Sequence, residues 1–146
     1  SHTVSHPDLT QKSSSEIRSE YDNCVAKLKS IIGTDPSPLL RLPYLAVNDT
    51  VKSTLSNVPM ITCSIDTGDW NSTTKDQMVN KIKSAMADGS LDGSIVLAHE
   101  TYDTTAAFME EICPYLKSQG WQVVSISEMF AVKGSKLNGG QVYTKS

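Results

Sequence analysis

What this chain has little of narrows it first. Cysteine is scarce and odd in number: Cys24, Cys63 and Cys113 stand far apart, which argues against a disulfide framework and leaves no metal or redox spacing. Each lies among apolar neighbours, so the expectation is three buried free thiols. No apolar run approaches the roughly 20 residues that a membrane span needs. Neither sign of charge is in excess. A net charge of −3 and a pI near 5.5 provide no basic field for nucleic acid or an anionic membrane. Residues 1–20 are polar and hold no apolar stretch of the signal-peptide kind; in a chain that starts as if in mid-element, this says little about compartment. No internal repeat is present. Histidine is rare too, and His2 and His6 fall at the very start of the chain.

What is present is ordinary globular material, 38% hydrophobic and 20% charged over 146 residues, about one domain of chain. SSSEIRSEYDNCVAKLKSIIG carries serines suited to N-capping, and Glu16 in the first turn. Ile17, Tyr21, Cys24, Val25, Leu28 and Ile32 then share one helical face until Gly33 stops it. LLRLPY reads as extended, and NDTVKSTLSN as a short helix capped by Asn48 or Asp49. VPMITCSID, SIVLAH and WQVVSI read as strands. TTKDQMVNKIKSAMADG repeats the amphipathic pattern through Met78, Ile82 and Met86. TTAAFMEEICPYLKSQG does so through Phe108, Ile112, Tyr115 and Leu116, with a kink expected at Pro114; SEMFA closes the series as a short helix. Alternating strands and helices predict an α/β fold with a parallel sheet. The last residues, GSKLNGGQVYTKS (134–146), are small, polar and Gly-rich, and read as a linker or frayed end.

In such a sheet, function gathers in the loops leaving the C-terminal ends of strands, and the polar clusters follow that rule. HTVSH sets imidazoles four residues apart, able to meet on one divalent ion if the segment turns helically. Two ligands are fewer than the three protein ligands of a catalytic zinc, so alone the pair reads first as surface or N-terminal histidines. In RLPY, Arg41 precedes a rigid turn and offers a fixed cation for a carboxylate. DTGDW supplies Asp66 and Asp69 beside the indole of Trp70, a surface suited to sugar stacking, although Asp-Thr-Gly-Asp is also ordinary turn composition. LAH ends an apolar strand in His99, placed either as a general acid or as a core histidine.

Taken in order, His2-Thr3-Val4-Ser5-His6, Arg41-Leu42-Pro43-Tyr44, Asp66-Thr67-Gly68-Asp69-Trp70 and Leu97-Ala98-His99 resemble the second to fifth motifs of the NodB-type polysaccharide deacetylases, carbohydrate esterase family four. Those motifs are H-[ST]-x-x-H, R-x-P-[YF], D-x-x-D-[WY] and L-x-H. EEICPYLKSQGW followed by VVSISEMF is similar to the usual ending of that family, so the likeness runs over residues 1–133. The resemblance implies a distorted (β/α) barrel, here partial and without its first strands, and metal-dependent removal of acetyl groups from carbohydrate. It implies His2 and His6 as metal ligands, of zinc or else cobalt or nickel, with the ion polarising the acetyl carbonyl and lowering the pKa of bound water. The backbone N–H of Tyr44 would hold the oxyanion. His99 would protonate the departing sugar atom, tuned by Asp69 or, second, by Asp66. Leu97 would line the methyl pocket, Trp70 would wall the groove, and Arg41 would bind the catalytic base.

The family's first motif, T-F-D-D, supplies that base and the third metal ligand, and nothing like it occurs here; Asp8 is the one local stand-in. Either the segment carrying it lies before residue 1, on another chain or lost, or the domain is a glycan-binding remnant without catalysis. The fragment is the favoured reading, and with it an open apolar strand edge that would leave residues 1–146 alone poorly stable or prone to aggregate. The resemblance further implies a polysaccharide partner, no nucleic acid or membrane, neighbouring modules, and a secreted, bacterial setting. Among substrates the expectation leans to the O-acetyl groups of xylan, with the N-acetyl groups of chitin or peptidoglycan as the alternative.

Overall fold

Hydroxyl side chains start three of the five helices. Ser13 caps α1 (Ser14–Ile32), Thr74 caps α3 (Lys75–Ala87) and Ser125 caps α5 (Ile126–Val132), each in a reciprocal box with Glu16, Gln77 or Glu128 three residues on. Each box satisfies two main-chain donors that a helix start would otherwise leave unpaired. The structure, a computed structural model, describes residues 1–146. Asn48 caps α2 (Asp49–Thr54) through Val51 N, and α4 covers Asp103–Ser118. α4 runs on through Pro114 as one helix, where a kink was expected.

Five two-residue strands complete the fold: β1 (Leu40–Arg41), β2 (Met60–Ile61), β3 (Ile65–Asp66), β4 (Val96–Leu97) and β5 (Val142–Tyr143). All pair in parallel, β1-β2-β5 in one sheet and β3-β4 in another, as an α/β chain requires. The chain divides into two compact units, residues 1–62 with 136–143, and residues 63–135 with 144–146. In the first, α1 and α2 close over β1 and β2 around Leu9, Ile17, Leu40, Val51, Leu55 and Met60. In the second, α3 packs on α4 around Met78, Ile82, Phe108, Ile112 and Leu116.

Four expectations need correction. Residues 134–146 are not a loose linker: β5 pairs with β2, Gly140 N donates to Val58 O at 3.0 Å, and Ser94 bridges Lys145. Main-chain pairing with a distant strand, together with the packing of Val142 on the first core, holds this strand, and local composition reveals neither. WQVVSI forms no strand; no neighbour pairs with it, and Val123 stands 65% exposed. The face of α1 is buried at Ile17 and Tyr21 but open at Ile32, because the packing does not extend to its last turn. All three cysteines are half-buried rather than buried. The outer edge of β1 is also less bare than its sequence suggested, since Arg41 N donates to Ser1 O at 2.9 Å and the terminal amine to Leu39 O at 2.8 Å.

Candidate functional site

The first unit carries the paired histidines. They converge through a tight turn and not a helix, with Thr3 at φ 68° and His6 at φ 53°. The two rings lie 4.6 Å apart, centroid to centroid, edge to face. His6 also meets the ring of Tyr44 at 4.7 Å. Nδ1 of His2 lies 2.7 Å from Arg41 O. A carbonyl only accepts, so Nδ1 carries the proton and Nε2 is left with the lone pair. That arrangement orients a ligating imidazole. Desolvation lowers the pKa of His2 from its ordinary value, His6 lowers it further, and the bond to Arg41 O opposes both. The outcome favours the neutral ring, the form that binds a metal.

Arg41 leaves β1 with Nη1 donating to Thr62 O at 2.8 Å. Tyr44 follows Pro43 at φ 55°, with its ring 68% exposed. Asp8, the possible stand-in, instead accepts from the N–H and hydroxyl of Thr10, capping a turn at Leu9–Gln11. No group of three or more His, Cys, Asp or Glu side chains able to hold a metal ion forms in the chain. The paired imidazoles of His2 and His6 offer two nitrogen ligands, and no third such side chain stands with them.

The second unit carries the acids and the remaining histidine. β3 delivers Asp66 and β4 delivers Leu97, joined by Thr67 N donating to Leu97 O at 3.1 Å. Gly68 turns the chain at φ 77°, a left-handed geometry that a Cβ would strain, and a Cβ there would lie 2.9 Å from Thr73 Oγ1. Lys81 of α3 braces this loop by donating to Asp66 O at 2.7 Å. Asp69, 3% exposed, is saturated with donors. His99 Nδ1 at 2.8 Å and Trp70 N at 2.9 Å reach Oδ1; His99 N at 2.5 Å and Thr105 Oγ1 at 2.7 Å reach Oδ2. Burial pushes the Asp69 carboxyl up, yet the bonds from His99 and Thr105 outweigh it and hold the group below its ordinary value. An ionised carboxylate against one ring nitrogen leaves the other, Nε2, to face a reactant.

Asp66 makes no such contact. Its oxygens accept from Gly68 N at 2.8 Å and from the indole Nε1 of Trp70 at 3.2 Å, pinning a ring that is 57% exposed. The two aspartates thus divide the work, one on the histidine and one on the tryptophan. Sequence reasoning missed Thr105, which sits inside a run that reads only as a helix start. It also missed Lys81, which looks like a solvated charge on an amphipathic helix.

The histidine pair lies in one unit and the buried aspartate–histidine pair in the other. Comparison with known proteins supplies the class. Residues 1–62 match the family model described as polysaccharide deacetylase. The chain is 35% identical over 146 residues to a peptidoglycan-N-acetylglucosamine deacetylase of Listeria monocytogenes, covering 98% of this chain and 29% of that protein. Its structure is similar to the Xyl-CE4 domain of a multidomain xylanase from the hindgut metagenome of Trinervitermes trinervoides, with TM-score 0.86 and 30% identity, over 99% of this chain and 69% of that one. It is also similar to a family 4 acetyl xylan esterase from Clostridium thermocellum in complex with a cobalt ion, with TM-score 0.85 and 25% identity, over 99% of this chain and 70% of that one. The chain belongs to the polysaccharide deacetylase family, carbohydrate esterase family four, and has its α/β fold. It spans under a third of the length of the Listeria relative.

Proposed function

We propose that the protein is a metal-dependent deacetylase of polysaccharide in which His99 is the general acid and Asp69 the carboxylate that orients it. The observation that carries this is the 2.8 Å contact between His99 Nδ1 and Asp69 Oδ1, made to a carboxylate side chain wholly out of solvent. With Nδ1–H committed to Asp69, protonated Nε2 gives its proton to the sugar oxygen or nitrogen as the bond to the acetyl carbon breaks. Asp69 stays ionised and stabilises the imidazolium before that transfer. Trp70, pinned by Asp66, walls the sugar groove, and Leu97 lines the pocket for the acetyl methyl. The backbone N–H of Tyr44 holds the developing oxyanion. Arg41 aligns the catalytic base, which together with the third metal ligand comes from outside residues 1–146.

His2 and His6 hold the divalent ion through nitrogens such as Nε2 of His2. Zinc is the first choice, and cobalt or nickel the alternatives; the cobalt ion of the Clostridium thermocellum relative supports a divalent metal of this kind. When bound, the ion polarises the acetyl carbonyl and lowers the pKa of water. Substrate and setting follow the relatives. Likeness to a domain of a multidomain xylanase and to an acetyl xylan esterase supports xylan O-acetyl groups and neighbouring modules, and action on such a polymer an extracellular location. Identity to a peptidoglycan deacetylase supports the second reading, N-acetyl groups.

Acetate release by the full-length polypeptide carrying residues 1–146, from acetylated xylan and from N-acetylglucosamine polymers, tests both. His99→Ala is expected to lower kcat at least a hundredfold. Unchanged turnover in that variant overturns the assignment of the acid. Release from N-acetylglucosamine polymers alone selects the second substrate, and glycan binding without release from either polymer indicates a non-catalytic domain.

A further inference from the structure

We propose that Glu20 is a positioning residue for the His2–His6 pair: its carboxylate, reaching from α1, sets the turn that brings the two imidazoles together. The inference rests on the metal-binding reading above, and it concerns a residue outside every motif that defines the pair.

The turn is costly in conformation and poor in main-chain support. Thr3 and His6 adopt left-handed φ values of 68° and 53°, which residues with a Cβ keep only where their surroundings hold them. Four successive N–H groups are satisfied by side-chain oxygens instead of carbonyls. Thr3 N donates to Ser1 Oγ at 3.3 Å and His6 N to Thr3 Oγ1 at 3.1 Å. The two between them, Val4 N and Ser5 N, both donate to Glu20 Oε2, at 2.8 and 2.9 Å. Ser5 Oγ completes the clamp on Glu20 Oε1 at 2.7 Å. One carboxylate thus receives three donors from the stretch that separates the histidines.

A carboxylate accepts all three donors in one group. The clamp is also fixed at its base. Ile17 and Tyr21, which flank Glu20 along α1, are buried, and Tyr21 Oη donates to Pro38 O at 2.7 Å. Glu20 therefore presents its carboxylate from a rigid element to a strained turn. It touches neither imidazole, so its influence passes through the backbone of Val4 and Ser5. Partners of this indirect kind typically change metal affinity by about 10–100-fold when removed.

The test is Co²⁺ titration of the full-length polypeptide carrying residues 1–146, followed by calorimetry and by visible absorption, with the imidazole nitrogen signals of His2 and His6 recorded first without metal. Glu20→Ala is expected to weaken Co²⁺ binding by about 10–100-fold and to move both sets of metal-free imidazole signals. Glu20→Gln is expected to keep both near the parent, because its carbonyl oxygen can take the two N–H groups while its amide donates to Ser5 Oγ. Glu20→Asp, which keeps charge and helix but shortens the reach, should resemble Glu20→Ala and serves if Glu20→Ala does not fold. Parent-like Co²⁺ affinity and imidazole signals in Glu20→Ala or Glu20→Asp overturn the proposal. So does equal weakening in Glu20→Gln, which would mark an effect of charge and not of position. Should the parent bind no Co²⁺ through His2 and His6, the metal-binding reading falls, and the metal-free signals alone decide whether Glu20 sets the turn.

Discussion

Replacing Asp69 by Asn keeps its size and removes its charge, and the surroundings determine what that costs. The two oxygens of Asp69 each face a main-chain donor, Trp70 N on Oδ1 and His99 N on Oδ2. An amide has one carbonyl oxygen, so in either orientation its NH2 confronts a backbone N–H that cannot turn away. One buried donor left unpaired costs about 1–3 kcal/mol. The hydroxyl of Thr105 can rotate to accept, and His99 can change tautomer, but the bonds that survive lose the strength that charge gave them. The ring of His99 is partly in solvent and contributes least to that loss. Together the expected destabilisation is about 3–5 kcal/mol, a large share of what a domain of this size has. Both tryptophans, Trp70 and Trp121, lie in the second unit, so urea unfolding read by tryptophan fluorescence follows the region concerned. The midpoint should fall by roughly 2 M urea at unchanged slope. A fall of less than about 0.5 M would refute the claim that this carboxylate is held by four donors in a dry site.

The same residue sets a pH dependence. Asp69 titrates below the ordinary value of 3.8 in the folded chain, so its contribution to stability is complete above that value and is lost as the pH falls from 3.8 through the lower folded value; in Asp69→Asn, acid titration of stability should lose this component. Phe108, 1% exposed in the core of the second unit, should cost about 3–5 kcal/mol on replacement by Ala, read from the same urea curves. Gly139→Ala should loosen the C-terminal strand, because a Cβ there would fall 2.5 Å from Ser56 O and 2.6 Å from Asn57 C. Faster amide exchange at Met60 and Thr62, whose N–H groups pair with Gln141 O and Tyr143 O, is the expected signature; protection at the parent level would count against it.

Much of this architecture could be read from local signals. Ser13 with Glu16, Ser125 with Glu128, and the spacing of Met78 and Ile82 or of Phe108 and Ile112 are written within a few residues of each other, and the helices form there. The site was legible as residue types in order, and the contact between Asp69 and His99 joins two of the clusters that the order had marked. What could not be read depends on distant partners. A β-branched run such as Val123–Val124 becomes a strand only beside another strand, and here it has none. Conversely, Val142 and Tyr143 pair by main-chain groups that any sequence carries. The shape of the histidine turn depends on Glu20, fifteen residues from Ser5 along the chain, and no local pattern announces it.

The return of residues 136–143 to the first unit, and of 144–146 to the second, bears on how the molecule is made. Synthesis runs from the N-terminus at about 5–20 residues per second, so the ribosome releases the histidine turn, α1 and β1 long before β5 exists. The first unit then waits, with one side of β2 unpaired, until residues 63–135 have been made and β5 has emerged. An unpaired strand edge is a template for wrong partners, so the interval favours misassembly at high expression rates. A ribosome-bound chain stalled at residue 134 should be sensitive to protease within residues 1–62, and the finished chain should not be.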